Sequence, residues 1–261
     1  MRYTVAMELI DTHCHIDVED FDPDRDDILA RCRRQGIARL VVPAILAGTW
    51  QSLLDLCRRE PGLLPALGLH PVYLTQHSDA DIASLATWVE REKPIAVGEI
   101  GLDYFVEALD RERQQQLFEA QLQVAHDSDL PIILHVRKAH DQVLATLKRY
   151  KVRGGIAHAF NGSLQQAQHY IDLGFKLGFG GMLTYERSNK LRRLAKELPL
   201  EVLVLETDAP DMTVAAHHGE RNSPEYLPDC LQALAEVRDE DPVHIAAATT
   251  RNAEQVLGLS R

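Results

Sequence analysis

Short apolar runs alternate with longer amphipathic stretches along nearly the whole of this chain of 261 residues. The apolar runs have the length and the flanking Gly and Pro residues of buried strands, whereas the intervening stretches repeat apolar residues with the period of a helix. The predicted strands are Glu8–Thr12, Arg39–Pro43, Leu64–Leu69, Ile95–Ile100, Pro131–His135, Gly155–His158, Lys176–Phe179 and Val202–Glu206. The predicted helices are Asp24–Gln35, Thr49–Arg59, Asp79–Glu92, Arg111–Ser128, Ala139–Tyr150, Leu164–Leu173, Arg187–Leu198 and Pro224–Arg238.

Eight strand–helix units in a chain of this length predict a (β/α)8 TIM barrel, which is an α/β fold with parallel strands. A doubly wound open sheet is the main alternative, but no GxGxxG turn follows the first strand. No linker-like or low-complexity stretch divides the chain, so we expect a single domain over residues 1–261. Residues 1–6 are a loose N-terminal extension if Met7 is the natural start, and Asp241–Leu257 is expected as a closing helix packed on the outside.

The charge and the cysteines narrow the classes of function. A net charge of −11 opposes broad electrostatic binding to nucleic acid, although it allows a local positive pocket, and bound divalent metal ions would add positive charge there. The four cysteines are widely spaced and form no CxxC pair. Because no signal peptide or transmembrane run is found either, we expect a reduced, cytoplasmic protein.

Two histidines follow the first predicted strand, where a barrel of this kind places its chemistry. His13 and His15 are two residues apart, and side chains at that spacing point to the same face of a strand. Both imidazoles can therefore reach one metal ion. Cys14 between them points to the other face, and we expect it to be a small buried apolar residue.

Carboxylates follow two other strands. Glu99 lies between Gly98 and Gly101, which permit a close backbone approach and unusual dihedral angles. Its two oxygens suit it to bridge two cations. Asp208 lies nearest the end of the last strand and is the better metal ligand there, whereas Glu206 is expected to lie deeper and to support a histidine.

Histidines also end three further strands. His135 and His158 are predicted to be metal ligands. His70 is either a ligand or a substrate contact, and we favour the contact. Arg137 shares a strand face with His135, so it is predicted to hold a phosphate or carboxylate of the substrate, the alternative being a salt bridge at the rim.

This set exceeds the needs of a single zinc ion and suits two divalent ions. We predict that the first ion is held by His13, His15, Asp208 and a shared Glu99, and the second by Glu99, His135 and His158. A water on or between the ions would ionise near neutral pH and act as the nucleophile, with Asp208 as the acceptor of its proton. The predicted reaction is hydrolysis of phosphodiesters, with a small ester, lactone or amide as the alternative substrate. The complete ligand set disfavours a non-catalytic scaffold with a vestigial metal site.

Several segments, in the same order along the chain, resemble the signatures of one family. They are residues 10–17, 68–71, 98–104, 113–125, 131–137, 158–163, 206–210 and 221–227. Together they resemble the TatD-type metal-dependent deoxyribonucleases, which belong to the amidohydrolase-like superfamily.

The resemblance implies a metal-dependent DNA exonuclease with a role in DNA repair or degradation. By matching position it implies that His70 faces the substrate and that the metal ligands are His13, His15, Glu99, His135, His158 and Asp208. We expect two divalent ions, Mg²⁺ or Mn²⁺ in preference to Zn²⁺. The expected substrates are DNA ends or short oligonucleotides, without a membrane or a stable protein partner.

Overall fold

Eight parallel strands follow one another around a barrel in a computed structural model that describes residues 8–259. The possible extension at residues 1–6 lies outside the described residues. Each strand pairs in parallel with the next one along the chain, which confirms the predicted (β/α)8 fold. The strands are β1 (Leu9–Asp11), β2 (Ile37–Pro43), β3 (Leu63–Leu67), β4 (Ala96–Asp103), β5 (Ile132–Arg137), β6 (Gly155–Ala157), β7 (Phe175–Phe179) and β8 (Leu203–Leu205).

Nine α-helices within residues 8–259 connect or cover these strands. They are α1 (Arg25–Arg34), α2 (Trp50–Arg59), α3 (Asp79–Glu92), α4 (Arg111–Asp127), α5 (His140–Leu147), α6 (Leu164–Asp172), α7 (Asn189–Glu197), α8 (Leu227–Arg238) and α9 (Pro242–Leu257). The largest difference from the predicted strands is in β4, which continues beyond Ile100 to Asp103. In this part of the chain no helix is both long and apolar enough to cross a membrane.

The interior of the barrel is filled with small and branched apolar side chains. They are Ile10, Val41, Ala66, Ala96, Ile133, Ile156 and Val204, and they form one buried cluster with Ala253, Val256 and Leu257 of α9. The Asn252 side chain in α9 also donates a hydrogen bond to the carbonyl of Leu203, at the start of β8 (2.8 Å). The expected position of this helix on the outside was therefore wrong. Instead, α9 closes the amino-terminal end of the barrel, which leaves the carboxyl-terminal end for the site.

The two ends of the sheet, β1 and β8, are joined just beyond their last residues. The buried Asp11 carboxylate accepts hydrogen bonds from the backbone N–H of Thr207 (3.0 Å) and from its hydroxyl group (2.5 Å). Next to this pair, the backbone N–H of Asp208 donates to the carbonyl of His13 (2.9 Å). These bonds between Asp11, His13, Thr207 and Asp208, which we call the seam, fix the loop that carries His13 against the loop that carries Asp208.

A Thr207→Val substitution tests this seam, because it removes the hydroxyl donor and nearly preserves the shape of the side chain. Asp11 then loses one of the partners of its buried carboxylate, and we expect the free energy of unfolding to fall by about 1–3 kcal/mol. Urea denaturation measures the change. Thr249→Val is the matched control, since the buried Thr249 hydroxyl bonds to the Ile245 carbonyl within its own helix and its loss should cost less. Equal losses in the two variants would contradict a special role for the seam.

Candidate metal centre

All six side chains that were predicted as metal ligands meet at the carboxyl-terminal end of the barrel. They are His13, His15, Glu99, His135, His158 and Asp208, and His70 lies among them. All of them except the fully buried His13 line the floor of a cleft with a volume of about 840 Å³. Residues far apart in the sequence therefore form one polar cluster at the end that α9 leaves open.

Glu99 lies at the centre of this cluster and is 1% exposed. Its Oε2 atom lies 3.0 Å from His13 Nε2 and 3.4 Å from His15 Nε2. Its Oε1 atom lies 2.9–3.2 Å from one imidazole nitrogen each of His70, His135 and His158. The two oxygens of one carboxylate thus face two different sets of imidazoles.

Two glycines allow Glu99 to take this position. A Cβ atom on Gly98 would lie 2.6 Å from the Cβ atom of Ile133, and one on Gly101 would lie 1.9 Å from the backbone oxygen of His135. Gly101 also has φ of +150°, which residues with a side chain rarely adopt. The close approach inferred from the sequence is therefore present, and it packs β4 tightly against β5.

His13 and His15 converge for a different reason from the one the sequence suggested. β1 ends two residues before His13, so strand alternation does not place the two rings. Their Nε2 atoms are nevertheless 3.2 Å apart, because the seam with β8 and a contact of His15 Nδ1 with the Pro43 carbonyl (3.1 Å) hold the loop. Cys14 is fully buried, as expected.

Hydrogen bonds to the outer ring nitrogens indicate which nitrogen of each histidine carries a lone pair. His15 Nδ1 faces a carbonyl oxygen and so carries its proton, which leaves the Nε2 lone pair directed at Glu99. His135 Nε2 contacts Asp103 Oδ2 (3.0 Å), which leaves the Nδ1 lone pair facing inward.

His70 has the opposite arrangement. Its Nδ1 atom accepts a hydrogen bond from the backbone N–H of Val72 (3.1 Å), so the neutral ring carries its proton on Nε2, toward the cleft. Burial lowers the pKa of His70 to about 4, which keeps the ring neutral at neutral pH. His70 therefore presents a hydrogen-bond donor at the floor of the cleft, where it faces Glu99 Oε1 (3.2 Å), whereas His15 and His135 present lone pairs.

The pKa values of the two carboxylates at the centre of the cluster are shifted in opposite directions, although burial raises both. Burial raises the pKa of Asp208 to about 6, despite the nearby His158 and His15. Burial opposes ionisation of Glu99 too, but the neighbouring imidazoles, above all those of His70 and His13, hold the pKa of Glu99 well below its ordinary value. Glu99 is therefore a permanent anion, while Asp208 takes up a proton close to neutral pH.

The donor set fits divalent metal ions. Glu99 Oε2 is buried and receives no aligned hydrogen bond within the described chain, although two Nε2 atoms lie near it. Nitrogen and oxygen lone pairs that face one another at such distances are stabilised by a cation between them. Three overlapping groups have suitable spacing: His13, Glu99 and His158; His13, His15 and Asp208; and His70, Glu99 and His135. This grouping differs from the expected division in placing His70 close to Glu99 and His135.

Glu206 lies beneath His158, where the sequence suggested a supporting carboxylate. Its Oε1 atom accepts a hydrogen bond from the backbone N–H of Ala159 (2.6 Å) and lies 3.7 Å from His158 Nδ1. Gly178 on β7 leaves the room for this carboxylate, since a Cβ atom there would lie 2.0 Å from Glu206 Oε2. Sequence reasoning missed Gly178, because no local motif marks it.

Arg137 lies exposed on the wall of the cleft, at the end of β5. Its guanidinium carbon is 3.6 Å from the centroid of the Phe105 ring. The alternative of a salt bridge at the rim is not found, because no carboxylate within residues 8–259 pairs with Arg137. Sequence reasoning also missed Phe105, which lies in a loop without a recognisable pattern.

The model of the TatD-related DNase family matches residues 10–258. This chain belongs to that family. The resemblance seen in the ordered segments is thereby confirmed.

Relatives in the TatD family match over nearly their whole length. The protein named uncharacterized metal-dependent hydrolase YjjV, from Escherichia coli K12, is 44% identical over 246 residues, which are 93% of this chain and 95% of the relative. The 3'-5' ssDNA/RNA exonuclease TatD of Salmonella typhimurium is 34% identical over 253 residues, which are 94% of this chain and 97% of the relative. The crystal structure of YjjV, a TatD homologue, superposes with a TM-score of 0.94 at 41% identity and covers 98% of this chain and 100% of that chain. The chain is a metal-dependent hydrolase of the TatD family.

A Gly178→Ala substitution tests the packing beneath this TatD-family site. The added methyl group collides with the buried Glu206 carboxylate, and we expect overpacking to lower the free energy of unfolding by about 1–3 kcal/mol. Gly48→Ala is the control, because a Cβ atom at Gly48 has nothing within 4 Å. Urea denaturation compares the two variants, and an unchanged stability of Gly178→Ala would show that Glu206 moves aside freely.

Proposed function

We propose that this chain is a nuclease that hydrolyses phosphodiester bonds at the ends of DNA strands with two divalent metal ions. The observation that carries the proposal is the Glu99 carboxylate, whose two oxygens face separate sets of imidazoles. A pair of divalent ions about 3.5–4 Å apart is typical of nucleases and phosphatases, and one carboxylate can span such a pair.

The direction of the lone pairs supports an assignment of ligands and substrate contacts. His13, His15, Asp208 and one oxygen of Glu99 would hold the first ion. The other oxygen of Glu99, with His135 and His158, would hold the second. We assign His70 to the substrate, because its inward nitrogen carries a proton and donates rather than binds a cation.

Asp208, His70 and Arg137 have different roles in the proposed hydrolysis. Divalent ions bound here would lower the pKa of a coordinated water and neutralise charge on the phosphate. Asp208 accepts the proton that the attacking water loses, because its carboxylate lines the cleft and lies 3.6 Å from His13 Nε2, next to where the first ion would be held. The His70 N–H group donates to a phosphate oxygen that gains negative charge, and Arg137 adds positive charge on the cleft wall.

Nucleic acid is the substrate class that the comparisons favour. The Salmonella relative carries the name of an exonuclease that acts on single-stranded DNA and RNA. A net charge of −11 suits a strand end or a short oligonucleotide better than a long duplex. We also propose a cytoplasmic location, because the four cysteines are free thiols, as in a reducing compartment.

Metal removal and replacement test the reaction. We expect chelated protein to leave end-labelled single and double strands intact, and we expect Mg²⁺ or Mn²⁺ to restore stepwise shortening. Strands labelled at either end give the direction of cleavage, and calorimetric titration with Mn²⁺ gives the number of ions bound. Cleavage that persists after chelation would contradict the proposal. So would intact strands at every metal concentration together with hydrolysis of a small ester, lactone or amide.

An Asp208→Asn substitution tests the proton acceptor. Asn tolerates the left-handed conformation of this residue (φ 59°), so the backbone is expected to stay in place. We expect kcat to fall by about 10²–10⁴-fold, because the amide cannot take up the proton. Asp239→Asn is the matched control and should retain activity, because Asp239 is exposed, has the same left-handed conformation (φ 55°) and does not line the cleft. Metal content measured in both variants separates loss of the acceptor from loss of the ion.

A further inference from the structure

An exposed aromatic ring and two cations form a small surface at the edge of the cleft. We infer that Phe105, Arg137 and Lys138 form a nucleotide-binding subsite, in which an unpaired base stacks on the Phe105–Arg137 layer and the cations contact the adjoining phosphates. This inference rests on the proposed nuclease function and names the form of substrate that the site accepts, which is a single-stranded end.

The exposure of Phe105 has no explanation in the packing of the fold. Its side chain is 46% exposed, and it is the one aromatic residue among the large apolar side chains that the described chain leaves exposed. The guanidinium carbon of Arg137 lies 3.6 Å from its ring centroid, and the Lys138 Nζ atom lies 4.7 Å from it. Base stacking on aromatic rings and on guanidinium planes is a common mode of single-strand recognition.

The two cations are not neutralised by the protein itself. Neither Arg137 nor Lys138 forms an ion pair with a carboxylate in residues 8–259, although acidic residues outnumber basic ones by 11 in the whole chain. Both side chains are exposed. Two adjacent unpaired cations beside a hydrolytic cleft are complementary to a polyanion.

The surface is tied rigidly to the candidate metal centre. Asp103 Oδ1 accepts hydrogen bonds from the backbone N–H groups of Phe105 (2.8 Å) and Val106 (3.1 Å), and its Oδ2 atom contacts His135 (3.0 Å). Arg137 follows His135 by two residues on the same strand. One carboxylate thus positions both a predicted metal ligand and the loop that presents the ring.

Charge on the two sides of the cleft gives the substrate a direction. The opposite rim carries the exposed carboxylates of Asp20 and Asp211. A strand whose terminal phosphodiester lies at Glu99 is repelled from that rim and attracted toward Arg137 and Lys138. We therefore expect the nucleotide next to the scissile bond to lie over the ends of β4 and β5.

The test combines variants of the ring with oligonucleotides that lack one base. On single-stranded DNA, Phe105→Ala is expected to raise KM by about fivefold or more with little change in kcat, since stacking is lost while the reacting groups remain. Phe105→Trp should retain the wild-type KM, and Phe105→Leu should resemble Phe105→Ala. Strands with a single abasic residue at each successive position near the end locate the contact. At one position, removal of the base is expected to weaken binding by the wild-type enzyme. At that same position, removal of the base should not weaken binding by Phe105→Ala any further.

Binding without cleavage gives an independent readout. Fluorescence anisotropy with a phosphorothioate-linked strand should show weaker binding by Phe105→Ala, Arg137→Gln and Lys138→Gln. Val243→Ala, at another exposed apolar position, and Arg91→Gln, whose guanidinium lies 4.1 Å from the Trp88 ring centroid, are the matched controls. They should bind like the wild type.

The outcomes separate the two proposals. Wild-type protein that fails to cleave any strand with Mg²⁺ or Mn²⁺ overturns the proposed function. Wild-type protein that cleaves, with an unchanged KM and unchanged binding in Phe105→Ala, overturns the subsite alone. The subsite is also overturned if Phe105→Ala binds more weakly than the wild type by the same factor whichever position is abasic. Stacking on one base must make that factor disappear at one position.

Discussion

The junction between the first and last strands is the constraint on which the site depends. Asp11 and Thr207 are 196 residues apart in sequence, yet the hydroxyl of Thr207 and the carboxylate of Asp11 share a buried hydrogen bond. Thr12 joins the same junction through its backbone N–H and its hydroxyl, both of which donate to the Leu205 carbonyl. The loops that carry His13 and Asp208 start at this junction. The hydrogen bonds that join the first strand to the last therefore also position His13 and Asp208 in the polar cluster.

Much of the fold and the membership of the cluster could be predicted, because both leave local patterns in the sequence. Apolar runs separated by amphipathic stretches specify strands and helices, and their number specifies a barrel. Polar residues directly after apolar runs then share one end of the barrel. Glu99 is the clearest case, since Gly98 and Gly101 have little reason to flank a carboxylate except to allow β5 to approach closely.

Other features depend on contacts between distant segments and leave no such pattern. The orientation of His70 is set by the backbone N–H of Val72, and the space for Glu206 is provided by Gly178 on another strand. Strand alternation suggested the right pairing of His13 with His15 for the wrong reason, because the chain leaves β1 before reaching them. The sequence predicted the helix α9 but not the surface that it covers. That surface is determined by the packing of α9 against the amino-terminal ends of the strands.

Closure of the amino-terminal end by α9 has a consequence for the passage of substrate. The barrel interior is filled from that helix up to the polar cluster, so no substrate can pass through the barrel from one end to the other. Substrate entry and product departure therefore share the opening at the carboxyl-terminal end of the barrel. The opposite ends of the barrel are also separated by this packed interior. Substitutions at the closed end can therefore change the free energy of unfolding without moving the side chains around the opening.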